Sequence, residues 1–159
     1  MSEMLGNYYF LVQNYSDAIV EYEQVLAKGS DNSSLKRKYI ICFIKQGRYK
    51  EALNIFSKII SRTDLDFFSS SIQNENTICR QLIKELENFK NPKGKTETNY
   101  ILGILWSFCD QDKAIKFFNK TREKDENFII IKKIFKKFNH KNNHWRKKWK
   151  TNRSQEKTF

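Results

Sequence analysis

Proline is nearly missing from this chain, with one residue in 159, and glycine is scarce at five. Sheet-rich folds need frequent turns built from those residues, so the shortage argues for helices joined by short links. Histidine is limited to His140 and His144. The first 139 residues therefore contain no imidazole for acid–base work, and neither a Ser–His–acid set nor a recognisable carboxylate pair emerges. No catalysis is expected. No stretch of eighteen apolar residues is present, so no transmembrane segment is expected. The opening "MSEMLGNYYF" lacks the basic start and apolar stretch of a signal peptide. Cys42, Cys79 and Cys109 are odd in number and form no CxxC pair, which reads as buried, reduced thiols in an intracellular protein.

What the chain does have is material for a core and an uneven charge. Apolar residues make up 39% and aromatics 14%, with thirteen Phe. A chain of this length is long enough for one ordinary domain, which would bury about two-thirds of its unfolded surface. The formal net charge is +12. Residues 127–159 hold eleven Lys/Arg against one Asp/Glu, which leaves nineteen against seventeen for the rest. The body is close to neutral and the tail is basic.

Internal similarity organises the first third. The stretches "QNYSDAIVEYEQVL" and "QGRYKEALNIFSKI" share a frame in which Tyr15 matches Tyr49, Ala18 matches Ala52, Tyr22 matches Phe56 and Val25 matches Ile59. Each spacing is 34 residues, as is that from Tyr9 to Phe43. A 34-residue period is that of a helix–turn–helix solenoid unit. In the second unit the pattern predicts a helix over 35–46, a stop at Gly47 in the left-handed conformation, and a helix over 49–60. Ala18 and Ala52 are expected where the two helices cross, because a small side chain lets backbones approach.

The pattern Leu5-Gly6-x-x-Tyr9 followed by Ala18 and Tyr22 resembles the tetratricopeptide repeat family. A third unit with the same look is Leu102-Gly103-x-x-Trp106 with Ala114 and Phe118. Its Gly-to-Ala spacing is one residue shorter, which predicts a tighter inter-helix turn. The second unit has Tyr39-Ile40 in place of Leu-Gly, and the family's Pro is missing throughout. The resemblance implies an all-α fold, an α-solenoid of antiparallel helix pairs. Two repeats fall in 1–62, a divergent helical connector in 63–95, a third repeat with a capping helix in 96–138, and a basic, flexible tail in 139–159. In the connector, Ile78, Leu82, Ile83, Leu86 and Phe89 make an amphipathic stripe. In the cap, Phe128, Ile131, Ile134, Phe135 and Phe138 lie opposite four Lys.

The resemblance further implies a protein-interaction scaffold whose first helices line a concave groove for a partner peptide or protein segment. By the family's frame the groove residues are Asn7, Phe10, Arg37, Ile41, Ile44, Lys45 and Tyr100, with Phe10, Ile41, Ile44 and Tyr100 as apolar anchors. No cofactor and no metal are implied. Met1 falls near the third position of the first unit, so an exposed apolar face at Leu5, Tyr8, Tyr9 and Val12 favours a homo-oligomer through the N-terminal helix.

Three local motifs compete with this reading. Gly94-Lys95-Thr96 lacks the earlier Gly and the preceding strand of a phosphate loop, and reads instead as a link with Thr96 or Thr98 capping the next helix. His140 and His144 have the spacing of a metal pair but no further ligand nearby, which leaves a solvated pair. The tail interleaves Trp145 and Trp149 with Arg146, Lys147, Lys148 and Lys150. Its alternatives are a solvated basic end, contact with nucleic acid, contact with an anionic membrane surface, or two indoles folded back on the last helix.

Overall fold

A computed structural model of the chain describes residues 2–62, 73–88, 95–108, 110–120 and 129. Every regular element among them is helical. The helices are α1 (Ser2–Leu11), α2 (Tyr15–Ala27), α3 (Ser33–Lys45), α4 (Tyr49–Arg62), α5 (Gln73–Asn88), α6 (Lys95–Ser107) and α7 (Gln111–Asn119). They fall into two compact units, Met1–Ile55 and Phe56–Phe159. In the first, α1 packs on α2 and α2 on α3; in the second, α5 packs on α6 and α6 on α7.

The 34-residue frame is visible in the backbone itself. After α1, the N–H of Asn14 bonds the carbonyl of Tyr9 at 2.8 Å and that of Gln13 bonds Phe10 at 3.2 Å. After α3, Arg48 bonds Phe43 at 2.9 Å and Gly47 bonds Ile44 at 3.0 Å. These are the same two bonds of a left-handed helix stop, moved by one period. The stop residue is Gly47 at φ 72° in the second case and Gln13 at φ 63° in the first. A non-glycine side chain strains that conformation, so the first unit holds its turn against a local cost.

The third pair is shortened differently from expectation. Three residues link the helices in each pair: 12–14, 46–48 and 108–110. The missing residue comes from the end of the first helix, because Asp110 caps α7 as soon as α6 has ended. Its carboxylate accepts from the N–H of Asp112 at 3.1 Å and of Lys113 at 3.4 Å. The helix after "NPKGK" also starts earlier than expected, at Lys95, which puts Thr96 and Thr98 inside α6 and not at its cap.

The crossings are set by small residues. Ala18, Ala52 and Ala114 are each fully buried. At Gly6 the approach is closer still, since a Cβ built there would lie 2.7 and 2.8 Å from the ring edge of Tyr22. At Gly103 it would lie 2.5 and 2.6 Å from the ring of Phe118. Carbon atoms do not pack at such distances, so both aromatics sit where only a hydrogen fits beneath them. Within the second unit Phe118 also lies flat beside Phe56, with ring centroids 6.3 Å apart, and Phe108 meets Phe56 edge-on at 6.1 Å. In the connector, Cys79, Leu82 and Ile83 are buried and Ile78 and Leu86 half-buried, as the stripe predicted. Phe89 and the whole cap stripe, with 121–128 and 130–159, lie outside the described residues.

Gly6→Ala and Gly103→Ala therefore test the crossings. Overpacking costs about 1–3 kcal/mol, and the helix gains at most about 1 kcal/mol from replacing glycine. We expect each variant to lose about 1–2 kcal/mol in urea unfolding. Tyr22→Leu combined with Gly6→Ala should recover part of that loss, so the pair is non-additive.

Candidate functional surface

The first helices of the two N-terminal pairs carry the surface to be judged. On α1, Glu3 and Asn7 are half-buried; on α3, Ser34, Lys38 and Lys45 are half-buried. Their positions are fixed by polar ties across unit 1. The Tyr22 hydroxyl donates to Asn7 Oδ1 at 2.7 Å, and Lys38 Nζ donates to the same oxygen at 3.4 Å. Asn7 thus spends its carbonyl on α2 and α3, while its Nδ2 takes no part in either bond. Glu3 Oε1 accepts from Asn32 Nδ2 at 2.6 Å. Asn32 is also the cap of α3, its Oδ1 accepting from Ser34 and Leu35. One side chain therefore starts α3 and ties it to α1.

The seven groove positions divide sharply by burial. Phe10 is 6% exposed, Arg37 3%, Ile41 0%, Ile44 4% and Tyr100 2%. Asn7 and Lys45 alone are half-buried. The four expected apolar anchors are thus already covered within the chain, and in this conformation they offer a partner little new surface. Lys38, which sits over Phe10 with Nζ 6.0 Å from the ring centroid, belongs with the accessible pair. The ties of Asn32 to Glu3 and of Tyr22 to Asn7 were not legible, because no periodic pattern announces a side-chain hydrogen bond between helices. The tail positions Trp145, Arg146, Lys147, Lys148, Trp149 and Lys150 lie outside the described residues, as do His140 and His144.

Residues 10–66 match the family model for the tetratricopeptide repeat. That stretch is similar to tetratricopeptide repeats. The match spans α2, α3 and α4. No curated protein matches the chain. Proteins with these repeats generally mediate protein–protein interaction. No described helix is long and apolar enough to cross a membrane. Among the described residues, no three His, Cys, Asp or Glu side chains are grouped as a metal would require.

Two buried groups on α3, Cys42 and Tyr39, are held in their neutral forms. Cys42 is fully buried, and loss of solvation pushes its thiol from an ordinary 9.0 up to about 12. Tyr39 is shifted upward by burial and by its hydroxyl bond to Glu23 Oε1 at 3.0 Å. Arg48 stacks over the Phe43 ring at 4.4 Å and pairs with Glu51 on the surface.

Cys42 should therefore resist alkylation at pH 8 until the chain unfolds. A thiol whose folded pKa is raised stabilises the fold below its unfolded pKa and loses that contribution as pH rises. Stability should fall from about pH 9 towards about pH 12, by about 1.4 kcal/mol per pH unit for this one group. Melting curves across that range check the sign, and Cys42→Ala should flatten the decline.

Proposed function

We propose that the chain is a non-catalytic scaffold that binds a segment of a partner protein along the first helices of its N-terminal repeats. The observation that supports this most is the Asn7–Lys38 pair, two polar side chains from successive first helices joined by a 3.4 Å hydrogen bond from Lys38 Nζ to Asn7 Oδ1. Tyr22 fixes Asn7 from below, so the amide presents its donor end without first losing rotamer freedom. Lys45 adds a second cation one helical turn beyond Ile41 on the same helix. The partner feature that suits this set is a row of acceptors, either the backbone carbonyls of an extended segment or its carboxylates.

The sequence led us to weight apolar anchoring at Phe10, Ile41, Ile44 and Tyr100. Their burial moves that weight onto the polar residues. Phe10, Ile41 and Ile44 act as a floor beneath the polar residues of α1 and α3, and the half-buried donors read the partner. Arg37, buried on α3, belongs with the floor.

Selecting peptides against the purified chain from a random display library tests this. We expect a recovered peptide to lose at least about tenfold in affinity for Lys38→Glu/Lys45→Glu, since each charged hydrogen bond is worth about 1.5–3 kcal/mol. The variant should melt within a few degrees of the parent. Peptides that bind the variant as tightly as the parent would refute the groove reading.

A further inference from the structure

One face of α1 is apolar and uncovered. Met4 is 80% exposed, Leu5 41%, Tyr8 58%, Leu11 77% and Val12 53%. At 100° per residue these five fall within a single arc of about 120°. Glu3 points away from this arc and is held by Asn32, so among the described residues the face contains no ionised group. The first 27 residues contain no Lys or Arg at all, and four acids.

The 34-residue frame shows what such a face does when it is covered. The counterparts on α3 of Leu5, Tyr8 and Val12 are Tyr39, Cys42 and Gln46. Tyr39 and Cys42 are buried. Tyr39 donates to Glu23 of α2, and Gln46 Nε2 donates to Ser16 Oγ of α2 at 2.7 Å. A helix of α2 type therefore covers α3 and brings polar groups that meet polar partners. On α1 those two positions are Leu5 and Val12, which offer no partner. A helix carrying a carboxylate at the Glu23 position would bury it unpaired against Leu5, at a cost of several kcal/mol. The occupant of the α1 face must itself be an uncharged apolar helix.

We infer that this occupant is α1 of a second copy, paired antiparallel about a twofold axis close to Tyr8. The face is self-complementary, because it is apolar along its whole length and has no charge to desolvate. Antiparallel pairing also sets the helix dipoles head to tail. The area suffices for a modest dimer. At ordinary side-chain areas, the five exposures amount to roughly 550–600 Å² of apolar surface, at the top of what a monomer leaves open. Two such faces bury about 1,100 Å², just above the lower bound for a specific interface. We expect weak association, on the order of 10 µM, because the interface is small and lacks a large anchor cluster.

Sedimentation equilibrium of the full chain, from about 1 to about 200 µM, reads the association directly. We expect a monomer–dimer equilibrium that persists in high salt, because apolar contacts are not screened. Tyr8→Glu/Val12→Glu should weaken the dimer at least about 100-fold through buried, unpaired carboxylates, and leave the melting temperature of the dilute monomer unchanged. Mixing Met4→Cys chains with Leu11→Cys chains under mild oxidation should give the mixed disulfide in excess of either like pair, since antiparallel packing sets residue 4 opposite residue 11. A chain that stays monomeric at the highest concentration overturns the proposal. A dimer that survives the double Glu variant, dissolves in salt, or cross-links like with like overturns it as well. These substitutions avoid Asn7, Lys38 and Lys45, so peptide binding by the scaffold passes or fails independently.

Discussion

The contact on which each flanking helix pair depends is an aromatic ring resting on a glycine. Tyr22 over Gly6 and Phe118 over Gly103 let two helices approach until ring carbons lie under 3 Å from where a Cβ would stand. Helices normally pack 8–10 Å apart according to the side chains between them, and here the smallest and nearly the largest side chains are paired to fill one layer. The fully buried Ala18, Ala52 and Ala114 extend the same logic along the crossing. Interaction surfaces on the outside of the pairs inherit their geometry from these few residues.

Polar groups then refine what packing has set. The Tyr22 ring fills the crossing, while its hydroxyl reaches Asn7, the next residue along α1 after Gly6, and orients its amide. Asn32 caps α3 and at the same time holds Glu3. In both cases one residue serves folding and surface chemistry together. On the proposed reading, the donors that meet a partner are preorganised by the same contacts that close the core, which would lower the ordering cost of binding.

Much of this was legible because helical repeats write their architecture in short-range patterns. The period of 34, the stop at Gly47 and the buried Ala positions follow from side-chain size and backbone freedom, which sequence displays directly. The third pair was read correctly as a pair, yet its shortening was assigned to the turn. Spacing alone does not say whether a lost residue comes from a helix end or from a link, and the Asp110 cap decided it. Burial of Phe10, Ile41, Ile44 and Tyr100 was not legible, because groove and core positions on a first helix are both apolar and differ only in what lies opposite. The charged run "LKRKY" shows the same limit. It looks like a solvated face, yet Lys36 and Arg37 are buried and Lys38 is the one that reaches Asn7.

The glycines also constrain how such a chain can vary over time. Every possible replacement at Gly6 or Gly103 is larger, so these positions have no conservative substitute and drift there is one-sided. The middle pair has already left that arrangement: Ile40 stands at the equivalent position, fully buried. A return to glycine would leave a hole the size of a butyl group, and a move from glycine to isoleucine in the outer pairs would need the ring opposite to relocate in the same step. The pairs thus have different interiors, and segments exchanged between them would not be interchangeable parts.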